Sequence, residues 1–140
     1  MTPTPRRLWL TRILIFIVFF FNVQCAVAFL LDAPAYAPSF ELAGAAGEGM
    51  VRGLGLLFLM WNVPYAVALW HPARHKLSLL EAAVMQAIGF SGETILQLTY
   101  SAGHPVLSAS IGRFMIFDGL GLVCLLLAAW LVSQRAAPGA

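Results

Sequence analysis

Two acidic residues, Glu93 and Asp118, each lie within a long apolar segment of the chain. A carboxylic acid in apolar surroundings can donate or accept a proton, and two of them can divide these roles when their environments differ. Four more polar residues interrupt apolar sequence: Arg52, Asn62, Gln97 and Arg113. Arginine and amide side chains at such positions can instead hold the polar head of a bound molecule.

Metal and nucleophile chemistry have weaker support. Cys25 and Cys124 form no CxxC pair and no metal-ligand spacing, so we interpret both as small buried hydrophobic residues. The three histidines, His71, His75 and His104, all fall in predicted connections, away from any serine or cysteine that they could activate. We therefore expect no metal site and no cofactor.

The apolar sequence divides into four segments: residues 10–31, 50–70, 77–100 and 107–132. Each has about the ~20 residues that a helix needs to cross a bilayer. Hydrophobic residues make up 61% of the chain and charged residues 10%, whereas soluble proteins have about 25% charged residues. The sequence therefore predicts one all-α domain over residues 1–140, a polytopic transmembrane four-helix bundle with an outer loop over residues 32–49.

The basic residues indicate how the helices cross the membrane. With four spans both termini lie on one side, and that side has six of the eight basic residues: Arg6, Arg7, Arg12, Arg74, Lys76 and Arg135. Because basic residues are enriched in cytoplasmic loops, we expect cytoplasmic termini and a location in the inner membrane. The first segment is longer than the roughly 7–15 residues of a signal peptide's apolar region, so we expect an uncut anchor.

The polar residues within the spans should face the interior of the bundle, because a charge near the bilayer centre costs about 2.5–3.5 kcal/mol. Gln86, Glu93 and Gln97 are spaced by seven and four residues, which puts them on one face of a helix. The sequence predicts an outward-facing polar pocket that binds a lipid or quinone-like molecule through six residues: Arg52, Asn62, Glu93, Gln97, Arg113 and Asp118. The alternative is a buried network of salt bridges and hydrogen bonds that only fixes the register of the helices.

The second span combines small residues with a proline. Gly49 and Gly53 have the GxxxG spacing that is typical of close contacts between membrane helices. Pro64 lacks an N–H and frees a carbonyl about four residues back, which can kink the helix. We expect the side chain of Asn62 to satisfy this defect.

Several residues in and after the second span resemble a known family. They are Arg52-Gly53 at its start, Gly55, Tyr65, and Pro72 and Arg74 after its end. Together with the order of one span, a proline-containing loop and three closely connected spans, this pattern resembles the DoxX-like small four-helix bacterial membrane proteins. The chain departs from it at Trp61-Asn62-Val63-Pro64 and at Asp118. The resemblance implies a membrane subunit, since some members are linked to respiratory or redox assemblies, and it carries over no catalytic residue.

These observations favour a small non-catalytic integral inner-membrane protein that forms a homo-oligomer or a subunit of a larger membrane complex. The net charge is +2 and no basic patch with interleaved aromatic residues is present, so we expect lipid and not nucleic acid as a partner. The alternative is a membrane-embedded, isomerase-like acid/base enzyme that acts on a lipid-like substrate. Its catalytic residues would be Glu93 and Asp118, which we expect at similar depth on adjacent antiparallel helices.

Overall fold

The computed structural model describes residues 4–134, so Arg135 lies outside the described residues. These residues form five α-helices and no strand: α1 Pro5–Leu31, α2 Ala33–Tyr36, α3 Gly44–Trp70, α4 Lys76–Tyr100 and α5 Pro105–Ser133. A 3-10 turn, Ala37–Phe40, follows α2. The prediction of an all-α bundle with four long helices is confirmed.

The four long helices have 25 to 29 residues each and are apolar enough to cross a membrane. At about 1.5 Å per residue they are long enough for a hydrocarbon core of about 30 Å. Helix α3 begins at Gly44 rather than near Met50, so the connection before it is shorter than residues 32–49. The other predicted segments differ from their helices by a few residues at the ends, where helices extend beyond the apolar sequence.

The outer faces of the long helices are apolar. Leu31 is 80% exposed and Leu98 is 78% exposed, and large hydrophobic side chains are exposed along all four helices. In water such a surface would drive association, whereas in a bilayer it contacts lipid at no cost. The chain is therefore a multi-pass membrane protein.

Small residues fill the interior between the helices. Ala26, Ala68, Ala82 and Ala128 are all fully buried. Helix α1 packs along α3, and α4 packs along α5. Since lipid gives no hydrophobic force between membrane helices, close packing over small side chains supplies much of the attraction. These contacts hold the four helices as a ring.

Helices α1 and α3 lie close together at Gly55. A Cβ at this position would lie 2.9 Å from the carbonyl oxygen of Ala26 and 3.2 Å from the Cβ of Phe29. The predicted contact through Gly49 and Gly53 is wrong, because nothing lies within 4 Å of a Cβ at either position. The small-residue contact exists, and it is on nearly the opposite face of the helix, since two residues correspond to about 200°.

Both described chain ends and the connection between α3 and α4 lie at one end of the bundle. Three exposed tryptophans, Trp9, Trp70 and Trp130, also lie at this end. The side chain of Arg12 donates a hydrogen bond of 2.8 Å to the carbonyl of Trp70, the last residue of α3. Tryptophan is enriched at membrane interfaces, and an arginine suits the carbonyl end of a helix. This end therefore has the character of a membrane–water interface.

Residues 32–43, which we call the cap segment, close the opposite end of the bundle. They contain α2 and the 3-10 turn, and the chain reverses at Glu41, where φ is +57°. The ring of Phe40 in this segment packs against those of Phe29 and Phe114, which also pack against each other, with centroids 5.7 to 6.2 Å apart. An aromatic cluster of this kind gives a short segment a hydrophobic anchor.

Three polar contacts join the cap segment to α5 and to His104, which directly precedes it. The hydroxyl of Ser110 donates to the carbonyl of Ser39 at 2.5 Å. The carboxylate of Glu41 lies 2.6 Å from Nδ1 of His104 and accepts a 3.2 Å hydrogen bond from the N–H of Leu107. That N–H is in the first turn of α5, where the helix supplies no acceptor. Glu41 therefore fixes the start of α5 and the position of the cap segment together.

The cap segment should respond to acid. The hydrogen bond from His104 and then that from Leu107 hold the pKa of Glu41 below its ordinary value of 4.5. A lowered pKa means that these contacts stabilise the fold at pH above that ordinary value and are lost as the pH falls through the lowered one. We expect the N–H of Leu107 to lose protection from hydrogen exchange over this range, after correction for intrinsic rates.

The N–H of Ser108 is an internal control for the acid response, because it donates to the carbonyl of His104 and not to Glu41. The variant Glu41→Gln should remove the pH dependence at Leu107. Equal protection of Leu107 in the wild type at neutral pH and at the lowest pH at which the protein stays folded would contradict the assignment.

Candidate functional site

A cavity of about 570 Å³ lies within the bundle, beneath the cap segment. All four long helices contribute to its wall. Aromatic side chains form a large part of the wall, namely those of Phe21, Phe29, Tyr36, Phe40, Phe58, Trp61, Tyr65, Phe114 and Phe117. The volume of the cavity and its apolar lining are typical of a small-molecule site, in which a few polar groups orient the ligand.

The rim of the cavity is open and apolar. Trp61 on α3 and Ile88 and Leu96 on α4 line the cavity and are 42%, 60% and 45% exposed. In a bilayer these exposed side chains contact lipid tails. A molecule with an apolar tail can therefore occupy the cavity while its tail stays in the hydrocarbon region.

Four of the six predicted ligand-binding residues line this cavity: Asn62, Glu93, Arg113 and Asp118. The other two do not. The side chain of Arg52 is 46% exposed and pairs with Glu48 one turn earlier, at 3.3 Å. The amide of Gln97 donates a 2.9 Å hydrogen bond to the hydroxyl of Ser108. The structure thus brings two acids, one arginine and one amide to a common wall.

A chain of hydrogen bonds crosses the bundle at the part of the cavity farthest from the cap segment. The hydroxyl of Tyr65 donates to Oε1 of Gln86 at 2.5 Å and also lies 3.1 Å from the carbonyl of Ala82. The amide nitrogen of Gln86 donates to Oδ1 of Asp118 at 2.7 Å. Three helices are joined in this way, and the acid is fixed in one orientation.

Sequence reasoning did not assign Tyr65 or Gln86 to the pocket, although both line the cavity. The signal for Gln86 was present, because it precedes Glu93 by seven residues on one helical face. The expected depth of Gln86 in the membrane was the misleading criterion. Gln86 lies beyond Glu93 when measured from the cap segment, and the cavity extends that far.

Two contacts fix the register of α4 against α5: the side chain of Gln97 with Ser108, and Gly89 with the carboxylate of Asp118. The helices are antiparallel, so residues midway between these contacts lie level with each other. Glu93 and Arg113 are those residues. Asp118 lies level with Gly89, four residues from Glu93, or roughly 6 Å along the axis. The two acids therefore lie within about one helical turn of each other in depth.

Arg113 links the cavity to the cap segment. Its Nη2 donates a 2.9 Å hydrogen bond to the hydroxyl of Ser110, which in turn donates to the carbonyl of Ser39. A guanidinium has five N–H donors, so most of its donating capacity is left for other partners. The residue is exposed beside the mouth of the cavity.

The charged residues of the cavity are not paired with one another. Within residues 4–134 the two ion pairs are Arg52 with Glu48 and His104 with Glu41, and neither includes Arg113, Glu93 or Asp118. The alternative of a buried salt-bridge network is therefore not what the described chain contains. The hydrogen bonds expected in that alternative are present in part, as the contact between Gln86 and Asp118.

Two acceptor oxygens beside the cavity have no hydrogen-bond partner in the described chain, Oδ1 of Asn62 and Oε2 of Glu93. Asn62 is only 4% exposed. Its nitrogen donates to the carbonyl of Phe58 at 2.6 Å, and because a carbonyl only accepts, the free atom of the amide must be its oxygen. A buried acceptor without a donor is costly, so such atoms mark where a ligand or water belongs.

The predicted role of Asn62 at the helix defect is wrong. Pro64 deprives the carbonyl of Met60 of its donor, since an α-helix joins residue i to residue i−4. Asn62 bonds Phe58 instead. Its nitrogen is thereby fixed toward the backbone of its own helix.

Among residues 4–134, no three His, Cys, Asp or Glu side chains lie close enough together to hold a metal ion. Cys25 and Cys124 are free thiols in the described chain. The ionisable groups of the cavity are thus those already named, and they can exchange protons and hydrogen bonds with a bound molecule.

Fold and lining together define a multi-pass α-helical membrane protein with an aromatic cavity that contains ionisable groups. No protein-family model, no curated protein and no solved structure matches the chain.

Proposed function

We propose that this chain is a non-catalytic integral membrane protein whose cavity binds the polar head of an amphiphilic molecule, such as a lipid or a quinone-like compound. One observation supports this most strongly: Arg113, Glu93 and Asp118 line one cavity without an ion pair to any described residue. Charged groups in low-dielectric surroundings need compensation. A bound polar head supplies it.

The lining of the cavity indicates that the ligand is amphiphilic. Aromatic side chains form a large part of the lining, and exposed apolar residues form the rim. A fully polar solute would leave these walls without a matching surface, whereas a hydrocarbon would leave the charged residues without partners. A head with an attached tail satisfies both.

The test of ligand binding is purification in mild detergent followed by mass spectrometry of the small molecules and proteins that remain bound. We expect one class of amphiphile in the wild type, and loss of it in Glu93→Gln and in Arg113→Gln. Glu81→Gln and Arg52→Gln are the matched controls, because Glu81 and Arg52 are exposed and outside the cavity. Equal retention in all four variants would contradict the proposal.

We also propose that the chain acts as a homo-oligomer or as a subunit of a larger membrane complex. The resemblance to the DoxX-like proteins supports this, since it implies a membrane subunit. The same purification tests it, because partner proteins in fixed ratio would identify a complex. A monomer in native mass spectrometry, without partners, would contradict it.

The proposed location is the inner membrane, with both termini in the cytoplasm. The support is the set of basic residues at the end of the bundle opposite the cap segment, including Arg7, Arg12 and Arg74, together with the positive-inside rule. In a background without Cys25 and Cys124, we expect Ala35→Cys in the cap segment to react with a membrane-impermeant maleimide from outside. Ala73→Cys should react only after the membrane is opened. The reverse pattern would invert the proposed orientation.

A second candidate is the acid/base enzyme with Glu93 and Asp118 as catalytic residues. The observation in its favour is that both acids line the same cavity. No hydrogen bond joins them in the described chain, and roughly one helical turn separates them, so a proton would have to pass through the substrate or water. Conversion of the retained amphiphile to an isomer by the wild type, and not by Asp118→Asn, would favour the enzyme.

A further inference from the structure

The charges of the cavity specify what kind of head it takes, provided that the cavity binds an amphiphile as proposed above. We infer that the head carries both an anionic group and a primary amine, as a phosphoethanolamine head does. The anionic group contacts Arg113, and the ammonium contacts Glu93 and Asp118. The inference rests on three arrangements: a free guanidinium, free acceptor oxygens, and the spacing between them.

Arg113 provides the anion-binding side. Its side chain has one described hydrogen bond, to the neutral hydroxyl of Ser110, and no described counter-ion. The guanidinium fork matches the geometry of a phosphate or carboxylate, and such contacts are about twice as strong as those between neutral groups. The residue lies at the level of Glu93, on the cap-segment side of Asp118.

The same cavity also provides acceptors for an amine. Oε2 of Glu93 and Oδ1 of Asn62 have no described donor, and Asp118 accepts one described hydrogen bond from the neutral amide of Gln86. An ammonium group has three N–H donors and a positive charge, which suits two carboxylates and an amide oxygen. A hydroxyl has one donor and would leave most of these acceptors without a partner.

The spacing of the charges excludes simpler heads. A head with only an anion would face two acids in the same cavity, and one with only a cation would face Arg113. Arg113 and Asp118 are five residues apart on α5, or roughly 7.5 Å along the axis. Glu93 lies level with Arg113, on α4, and Asp118 lies farther from the cap segment. An ambipolar head a few bonds long therefore spans from the arginine to the acids.

Aromatic walls alone would also attract a cation, because the faces of aromatic rings carry negative potential. A quaternary ammonium would be attracted equally by the rings, but it has no N–H to donate to the acceptor oxygens. Stepwise N-methylation of the amine therefore distinguishes attraction by the aromatic rings from hydrogen bonding to the acceptor oxygens. The charge stays constant while the number of donors falls from three to none.

The test is a titration followed by native mass spectrometry. The purified full chain in detergent is mixed with phosphatidylethanolamine and with its N-methyl, N,N-dimethyl and trimethyl (phosphatidylcholine) analogues, all with the same acyl chains. Phosphatidic acid supplies the anion without the amine, and sphingosine supplies an amine without the anion. We expect affinity to fall with each methylation, to at least about tenfold weaker for phosphatidylcholine, since a hydrogen bond to a charged group is worth that much.

Variants test whether the lipid preference arises from the residues of the cavity. Arg113→Gln should abolish the preference for phosphatidylethanolamine over sphingosine. Glu93→Gln and Asp118→Asn should abolish its preference over phosphatidic acid and over phosphatidylcholine. Arg52→Gln and Glu81→Gln are the matched controls and should leave all preferences unchanged. Circular dichroism and thermal unfolding establish that each variant is folded before its affinities are compared.

The outcomes separate this inference from the proposed function. The ambipolar head would be overturned if phosphatidylethanolamine bound no more tightly than phosphatidylcholine, than phosphatidic acid or than sphingosine. Saturable binding of only a neutral amphiphile, such as decylubiquinone or dodecanol, would overturn it and leave the cavity function standing. Binding of none of these probes would overturn both.

Free O-phosphoethanolamine distinguishes the source of the head. If it displaces phosphatidylethanolamine at millimolar concentration, the head alone is recognised and a soluble molecule can supply it. If it does not, the acyl chains are required and the ligand is a membrane lipid. Either result supports the ambipolar chemistry, provided that the methylation series has already done so.

Discussion

Gly55→Ala is expected to separate α1 from α3 and to lower the free energy of unfolding by about 1–3 kcal/mol, the range for overpacking a tight interior. The added Cβ would lie 2.9 Å from the backbone oxygen of Ala26 and 3.0 Å from Cγ of Leu30. Backbone atoms cannot rotate out of the way, so the helices themselves must move. We would measure unfolding by titration of mixed micelles with sodium dodecyl sulfate.

The matched control for Gly55 is Gly53→Ala on the same helix. Nothing lies within 4 Å of a Cβ at Gly53, and alanine has a higher helix propensity than glycine. This substitution should therefore leave stability unchanged or raise it slightly. Similar losses for both variants would show that the backbone flexibility of glycine matters, and not the close approach of α1.

The contrast between Gly55 and the predicted pair Gly49 and Gly53 shows what a sequence can and cannot specify. The apolar segments predict four helices, because only a helix satisfies its own backbone hydrogen bonds in lipid. They do not specify which stripe of small residues faces a neighbour. Several stripes exist in a glycine-rich helix, and packing against α1 selects one of them.

The same ambiguity explains the misplacement of Arg52. Buried residues on α3 include Val51, Gly55 and Asn62, with spacings of four and seven that follow one helical face. Arg52 comes directly after Val51 and is therefore rotated by about 100° from that face. The predicted pocket included both Arg52 and Asn62, which lie on two neighbouring faces of α3. Arg113, by contrast, is on a face that the cavity includes.

The cap segment could not be predicted because its contacts join residues far apart in the chain. Ser110 and Ser39 meet across the bundle, and so do His104 and Glu41. Glycine and alanine after the segment favoured a loop up to Gly49. Helix α3 nevertheless begins at Gly44, where a positive φ of 66° lets the chain turn into the helix, and the ion pair between Glu48 and Arg52 supports its first turns.

Gln86→Leu is the second substitution with a large expected effect, a loss of about 2–3 kcal/mol in the free energy of unfolding. Leucine is similar in size, so the packing is largely kept. Gln86 is 3% exposed and is both the donor to Asp118 and the acceptor from Tyr65. Its loss leaves the acid without its described donor, and an unsatisfied buried group costs about 1–3 kcal/mol, more when charged.

Two companion variants determine whether the loss in Gln86→Leu comes from the hydrogen bond to Asp118. Asp118→Asn keeps an acceptor oxygen for Gln86 and removes the charge, so its stability should be close to that of the wild type. Asp118→Leu should be less stable, and its effect should not add to that of Gln86→Leu, because both remove the same contact. Tyr65→Phe should lose about 1 kcal/mol, since it removes only one end of the chain of hydrogen bonds. Additive losses for the two leucine variants would mean that Gln86 stabilises the bundle by packing, and that Asp118 is held by something other than Gln86.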